Sequence, residues 1–132
     1  MKQLTVLLLL TGAILLGSAT IKPNTGNGQY KNLRVLPRNI TSKELLGIMT
    51  DDIDDGLGVS CGFCHAAAAD GHGLDFASDA KPEKKIARGM MRMTLTMNKK
   101  YFKVRHPLLG APNLILSCAT CHNGQALPVM EQ

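Results

Sequence analysis

The sequence predicts a mainly α-helical fold with few or no strands, built from two units that each consist of a helix followed by a Cys-x-x-Cys-His motif. Apolar residues recur every three or four positions in two stretches, 45–53 and 86–101, as they do on one face of an α-helix. A Cys-x-x-Cys-His motif follows each stretch, at 61–65 and at 118–122. The 132 residues are enough for one domain, so the predicted plan is helix, motif, helix, motif.

The amino-terminal residues 1–19 have the build of a secretory signal peptide. One lysine precedes an almost wholly apolar run, 4–16, and the small residues 17–19 offer a cleavage point. The apolar run is shorter than the about 20 residues that a membrane span needs, which favours a cleaved signal peptide. An uncleaved N-terminal membrane anchor is the alternative. We therefore expect a periplasmic protein in which the turn-forming residues 20–29 make a flexible linker and 30–132 form the domain.

The first helix is predicted to begin at Thr41, because Thr41 and Glu44 match the capping-box pattern. It should end near Gly56, ahead of the first motif. The acidic run 51–55 lacks the alternate spacing of a calcium-binding loop, so we interpret it as a solvated helix face. The apolar stripe of this helix comprises Leu45, Leu46, Met49 and Ile53.

Two further helices are expected after the first motif. The run Ala66–Ala69 directly follows the motif, and alanine is the best helix former, so a short helix should carry the motif histidine. Pro82 marks the start of a long helix, since proline is favoured in a first helical turn. The side of this helix opposite its apolar face carries, in part, Lys84, Lys85, Arg88, Arg92 and Lys99. Its apolar face comprises Ile86, Met90, Met93, Met97 and Tyr101.

The two motifs indicate covalent attachment of haem c. In each motif the two thiols add to the vinyl groups of one porphyrin, and the adjacent histidine binds the iron from one side. The chain has four cysteines and the motifs use all of them, so we predict two covalent haems and no structural disulfide. The residues assigned in this way are Cys61, Cys64 and His65 for the first haem and Cys118, Cys121 and His122 for the second.

The second axial position of each iron decides the function. Methionine opposite histidine gives a six-coordinate centre of raised potential, which suits electron transfer. Met49 is the only methionine between the predicted signal peptide and Cys61, and we predict that it binds the first iron. Two spare histidines, His72 and His106, are interpreted as loop or surface residues. For the second iron, spacing alone leaves four candidates open: Met90, Met91, Met93 and Met97.

Charge and motif chemistry together favour an electron-transfer protein over an enzyme. The formal net charge is +5, which can steer an acidic partner protein towards the chain. The sequence has no Lys/Arg cluster with interleaved aromatic residues, the pattern that would indicate nucleic-acid binding. We therefore expect redox partner proteins, with a membrane-bound electron-transfer complex among them, and no small-molecule substrate. The alternatives are a small di-haem peroxidase-like enzyme, a gas-binding haem sensor, and a haem-free protein with zinc or thiol–disulfide sites.

Beyond the motifs, the chain resembles the cytochrome c subunit of photosynthetic reaction centres, and in particular one half of that four-haem protein. The similarity runs from about Tyr30 to Pro128, and its most specific part is the Ala-Arg-x-Met-x-x-Met-Thr run at 87–94. Further matching stretches are Leu57–Cys61, Phe76–Asp79, Asn98 and Cys121–Gly124.

This resemblance implies a fold and a ligand set. In that family a helix precedes each haem motif, and most haems take a methionine from that helix. The resemblance therefore implies Met49 for the first iron and Met90, the first methionine of the 87–94 run, for the second. Met93 and Met97 remain the alternatives to Met90. The link 103–116 is longer than the corresponding link in that family.

Overall fold

The computed structural model describes residues 30–127. The predicted signal peptide 1–19, the linker 20–29 and the last residues of the predicted domain lie outside the described residues. The described part is mainly helical with two short strands, as predicted. In chain order its elements are α1 (Ser42–Gly47), the π-helix π1 (Ile48–Asp55), α2 (Cys61–Cys64), β1 (Ala66–Ala67), β2 (Leu74–Asp75), α3 (Pro82–Lys100) and α4 (Cys118–His122).

The first helical segment begins where the capping box predicted. The Glu44 backbone N–H donates to Thr41 Oγ1 at 3.3 Å, and the Thr41 backbone N–H donates to Glu44 Oε2 at 2.9 Å. From Ile48 onward the segment widens into π1, which the sequence pattern did not predict. A π turn takes more residues than an α turn. Ile48 is the most buried residue of the segment, while Leu46 of the predicted apolar stripe is 64% exposed.

The helix predicted over Ala66–Ala69 is wrong. The motif helix α2 ends at Cys64, and His65 already has extended backbone angles, φ −109° and ψ 130°. Ala66 and Ala67 then form β1 and pair antiparallel with Asp75 and Leu74 of β2. Helix propensity is a weak preference that a tight turn can override. Gly71 and Gly73 provide that turn, with φ values of +76° and +77°.

Helix α3 has the predicted start, but its inward face is not the predicted one. Its buried residues are Lys84, Met91 and Asn98, so the side opposite the predicted apolar face turns inward at Lys84. The Arg88 side chain, on the same predicted side as Lys84, is only 13% exposed. The predicted apolar face is instead largely uncovered: Ile86 is 60%, Met90 43%, Met93 49% and Tyr101 64% exposed. Helical periodicity shows which residues share a face, but it does not show what covers that face.

The hydrophobic core of the described residues is small. It lies between α1–π1, α3 and the segment that follows α3, and partly buried Leu45, Met49 and Ile53 pack against it. None of the helices within 30–127 combines the length and the apolarity required to cross a bilayer. The buried apolar residues are Leu36, Ile40, Ile48, Met91 and Leu109.

Candidate haem-binding sites

The first motif forms a one-turn helix, α2, at the surface. Its final turn closes through the His65 backbone N–H, which donates to the Cys61 carbonyl at 3.1 Å. Lys81 Nζ donates to the carbonyl of Gly62 and ties α2 to the start of α3. Residues three apart lie on the same side of a helix, so Cys61 and Cys64 face one side of α2. Both are free thiols, Cys61 exposed and Cys64 half-buried.

The His65 side chain is held against the loop that follows β2. Its ring meets the Phe76 ring edge-on, with centroids 5.0 Å apart and planes at 64°. Its Nδ1 atom is buried and has no hydrogen-bond partner within 30–127. Burial, and then the Lys84 charge, lower the pKa of His65 below its ordinary value, against a smaller opposing effect of the Phe76 backbone. The lowered pKa favours the neutral imidazole, which is the form that binds a metal ion.

The second motif forms helix α4, whose start is capped locally. The Ser117 backbone N–H donates to Thr120 Oγ1 at 3.0 Å in a reciprocal capping box. At the other end, Asn123 turns the chain in a left-handed conformation, φ +48°. His122 Nδ1 lies 3.0 Å from the Gln125 carbonyl, and since a carbonyl only accepts, Nδ1 carries the proton. This bond leaves Nε2 of His122 free for a metal ion.

The predicted distal ligands lie on the two long helical segments. Met49 is half-buried in π1 and packs against the hydrophobic core. Met90 and Met93 are exposed on the outer face of α3, while Met97 on the same helix is half-buried. Their assignment as ligands remains a prediction. The two spare histidines are exposed, His72 in the turn between the strands and His106 at a positive φ of 50°.

The residues present fit two covalent haems. Each motif presents two free thiols on one side of a surface helix, next to a histidine whose environment keeps the imidazole neutral or leaves Nε2 free. Among residues 30–127 five apolar residues are buried and eleven large apolar residues are exposed, so apolar surface is available to pack against a porphyrin. Within 30–127 no three His, Cys, Asp or Glu side chains form a metal-binding group of the kind that a zinc site requires. Exposed apolar residues in or near the motifs include Phe63, Phe76, Ile115 and Leu127.

Comparison with known proteins agrees with the resemblance seen in the sequence. The protein-family model described as "Photosynthetic reaction centre cytochrome C subunit" matches residues 18–131. Cytochrome c-554 of Chloroflexus aurantiacus is 32% identical over 95 residues, which is 70% of this chain and 20% of that protein. The chain thus spans about 20% of the length of this curated relative. No solved structure matches the chain. The family model matches most of the chain and includes both motifs. The chain therefore belongs to the photosynthetic reaction centre cytochrome C subunit family.

Proposed function

We propose that the protein is a periplasmic di-haem c-type cytochrome that carries electrons between redox partners. Family membership supports a c-type cytochrome with covalent haem. The proposal of two haems per chain rests on the two separate surface helices, α2 and α4, each of which belongs to a complete Cys-x-x-Cys-His motif.

The side chains around each haem have distinct tasks in this proposal. The cysteines would hold the porphyrin by thioether bonds, and His65 and His122 would each bind one iron. Met49 and Met90 would supply the second protein ligand of each iron and so exclude water and small molecules. The haem itself supplies the one-electron chemistry of iron, and a methionine opposite a histidine raises its reduction potential.

The proposed partners are proteins rather than small molecules. The chain is basic: its formal charge is +5, or +4 once residues 1–19 with Lys2 are removed, and a basic surface attracts acidic redox proteins over long range. A membrane-bound electron-transfer complex is one such partner. Export through the amino-terminal segment 1–19 would place the protein in the periplasm, where the segment also serves as an anchor if it is not cleaved.

A haem count on the intact protein tests this proposal. The protein is produced in a host competent for cytochrome maturation, and a pyridine haemochrome assay is combined with intact mass. We expect two haems per chain and a mass that lacks residues 1–19. The matched control replaces Cys118 and Cys121 by alanine and should retain one haem. A wild-type protein with one haem or none contradicts the di-haem proposal, and rapid carbon monoxide binding by the reduced protein contradicts methionine ligation.

A further inference from the structure

Two polar side chains are buried among residues 30–127, and both lie on the inward face of α3. Lys84 is 8% exposed and Asn98 is 0% exposed. Burying a polar group without partners is costly, so such groups are normally hydrogen-bonded. The partners of these two side chains therefore show which parts of the chain they hold in place.

Lys84 holds the segment that forms the wall beside His65. Its Nζ donates to the Phe76 carbonyl at 2.8 Å and to the Ser78 carbonyl at 2.6 Å. It also forms an ion pair with Asp79, at 3.6 Å between Nζ and Oδ1. The Phe76 ring contacts the His65 ring edge-on, so movement of the 76–78 segment would release the histidine of the first motif.

Asn98 holds the segment that leads into the second motif. Its Oδ1 accepts from the backbone N–H groups of Ile115 at 2.8 Å and Leu116 at 3.1 Å. Its Nδ2 donates to the carbonyls of Leu116 at 2.8 Å and Thr94 at 3.0 Å. Both donors and both acceptor positions of the amide are used, which few other side chains could reproduce. The held residues end directly before Ser117, the N-cap of α4.

We propose that α3 is the common support of both haem sites, and that Lys84 and Asn98 are positioning residues, Lys84 for the first site and Asn98 for the second. The two residues are separated by about 21 Å along the helix axis, at about 1.5 Å per residue. Each site can therefore be disturbed separately. This inference rests on the proposed function in one respect, that each motif holds a haem.

The test uses two shape-conserving variants of the mature protein, Lys84→Met and Asn98→Leu, each of which is the control for the other. Site-resolved haem occupancy is measured by peptide mapping, and electron paramagnetic resonance of the oxidised protein reports the orientation of each axial imidazole. For Lys84→Met we expect a changed signal or lost haem at Cys61 and Cys64, with the second site unchanged. For Asn98→Leu we expect the reverse, at Cys118 and Cys121.

A second measurement does not depend on haem. Amide hydrogen exchange at residues 115 and 116 should become about tenfold faster or more in Asn98→Leu and stay unchanged in Lys84→Met, because local hydrogen bonds limit local opening. Asn98→Asp keeps the oxygen that accepts from residues 115 and 116 and loses only the donating NH2 group, so it should protect these amides better than Asn98→Leu. If Lys84→Met does not accumulate, Lys84→Arg takes its place in the comparison. If Asn98→Leu does not accumulate, Asn98→Asp takes its place.

The outcomes separate this inference from the proposed function. Equal effects of both variants on both sites, or no effect of either, overturn the assignment of one residue to one site. Unchanged exchange at 115 and 116 in Asn98→Leu overturns the role of Asn98. A wild-type protein that lacks a haem refutes the di-haem proposal, while the exchange measurement still decides whether Asn98 positions the segment before α4.

Discussion

The backbone N–H of Gly124 donates a hydrogen bond to the carbonyl of Gly56 at 3.1 Å. Gly56 follows π1 and precedes the first motif, whereas Gly124 follows the second motif. A Cβ at Gly56 would lie 3.3 Å from Cys118 Cβ, so the two segments are in direct contact. This glycine junction (Gly56, Gly58 and Gly124) joins the segment before the first motif to the segment after the second, and it therefore limits how far apart the two motifs can lie.

The glycine junction should not tolerate a side chain at Gly58. Gly58 has a φ of +62°, and a Cβ there would overlap the carbonyl oxygen of Gly124. We expect Gly58→Ala to lower the free energy of unfolding by about 2 kcal/mol or more, because the left-handed backbone and the steric overlap both oppose it. Chemical denaturation of the mature protein measures the change.

The control for this variant is Gly89→Ala, in the middle of α3. A Cβ at Gly89 meets nothing within 4 Å. Alanine should therefore raise the free energy of unfolding by about 0.5–1 kcal/mol, through its higher helix propensity. If Gly58→Ala leaves the free energy of unfolding unchanged or raises it as Gly89→Ala does, the glycine junction is not a close contact in the folded protein.

Met49→Ala tests the distal ligand of the first haem. Met49 is half-buried in π1, and its removal should leave the haem attached through Cys61 and Cys64. The iron should become five-coordinate or bind water, and its potential should fall, because the thioether that favours the reduced state is lost. Visible spectra and a redox titration measure this. An unchanged spectrum and potential would show that Met49 only packs in the core.

Met90→Ala tests the ligand of the second haem, with Met93→Ala and Met97→Ala as matched comparisons on the same helix. Met90 and Met93 are similarly exposed, at 43% and 49%, so general packing losses should be similar for the two. Only the variant that removes the ligand should convert one haem to a five-coordinate or water-bound form. If Met93→Ala or Met97→Ala produces that spectrum, the ligand implied by family resemblance is incorrect.

Asp52→Asn is expected to stabilise the protein at neutral pH and to have little effect in acid. Burial raises the pKa of Asp52 above its ordinary value of 3.8, with a smaller opposing effect of the Gly110 backbone and a small further increase from Asp51. Its Oδ2 atom is buried without a hydrogen-bond partner within 30–127. The folded state thus binds this proton more tightly than the unfolded state, so the stability contributed by this group is lost as pH rises through the raised pKa.

Denaturant titrations of wild type and Asp52→Asn between acid and neutral pH measure this effect. The difference in stability should grow as pH rises above the ordinary value of 3.8 and then level off. Asp54→Asn, on the same helical segment, is the control for a general loss of negative charge. A difference that is constant across the range, or the same in both variants, would contradict the role of burial.

Local patterns predicted several elements because the responsible forces act within a few residues. The capping box at Thr41 and the proline at Pro82 each set a helix start, and both starts agree with the structure. The helix predicted after His65 is absent because the helix propensity of alanine is a weak preference. Strand pairing across the Gly71–Gly73 turn outweighs it. The widening at Ile48 into a π-helix carried no sequence signal that we recognise.

The sequence by itself determined the chemistry: the thiols, the adjacent histidines and the family are all read from residues that are neighbours along the chain. Only the tertiary structure decided which face of α3 turns inward, because that choice depends on hydrogen bonds to distant segments. Asn98 forms hydrogen bonds with residues 115 and 116, and Lys84 forms them with residues 76 and 78. These bonds turn the two polar side chains inward and leave the face with Met90 and Met93 exposed. Periodicity follows from helix geometry alone, whereas orientation follows from the partners of a helix.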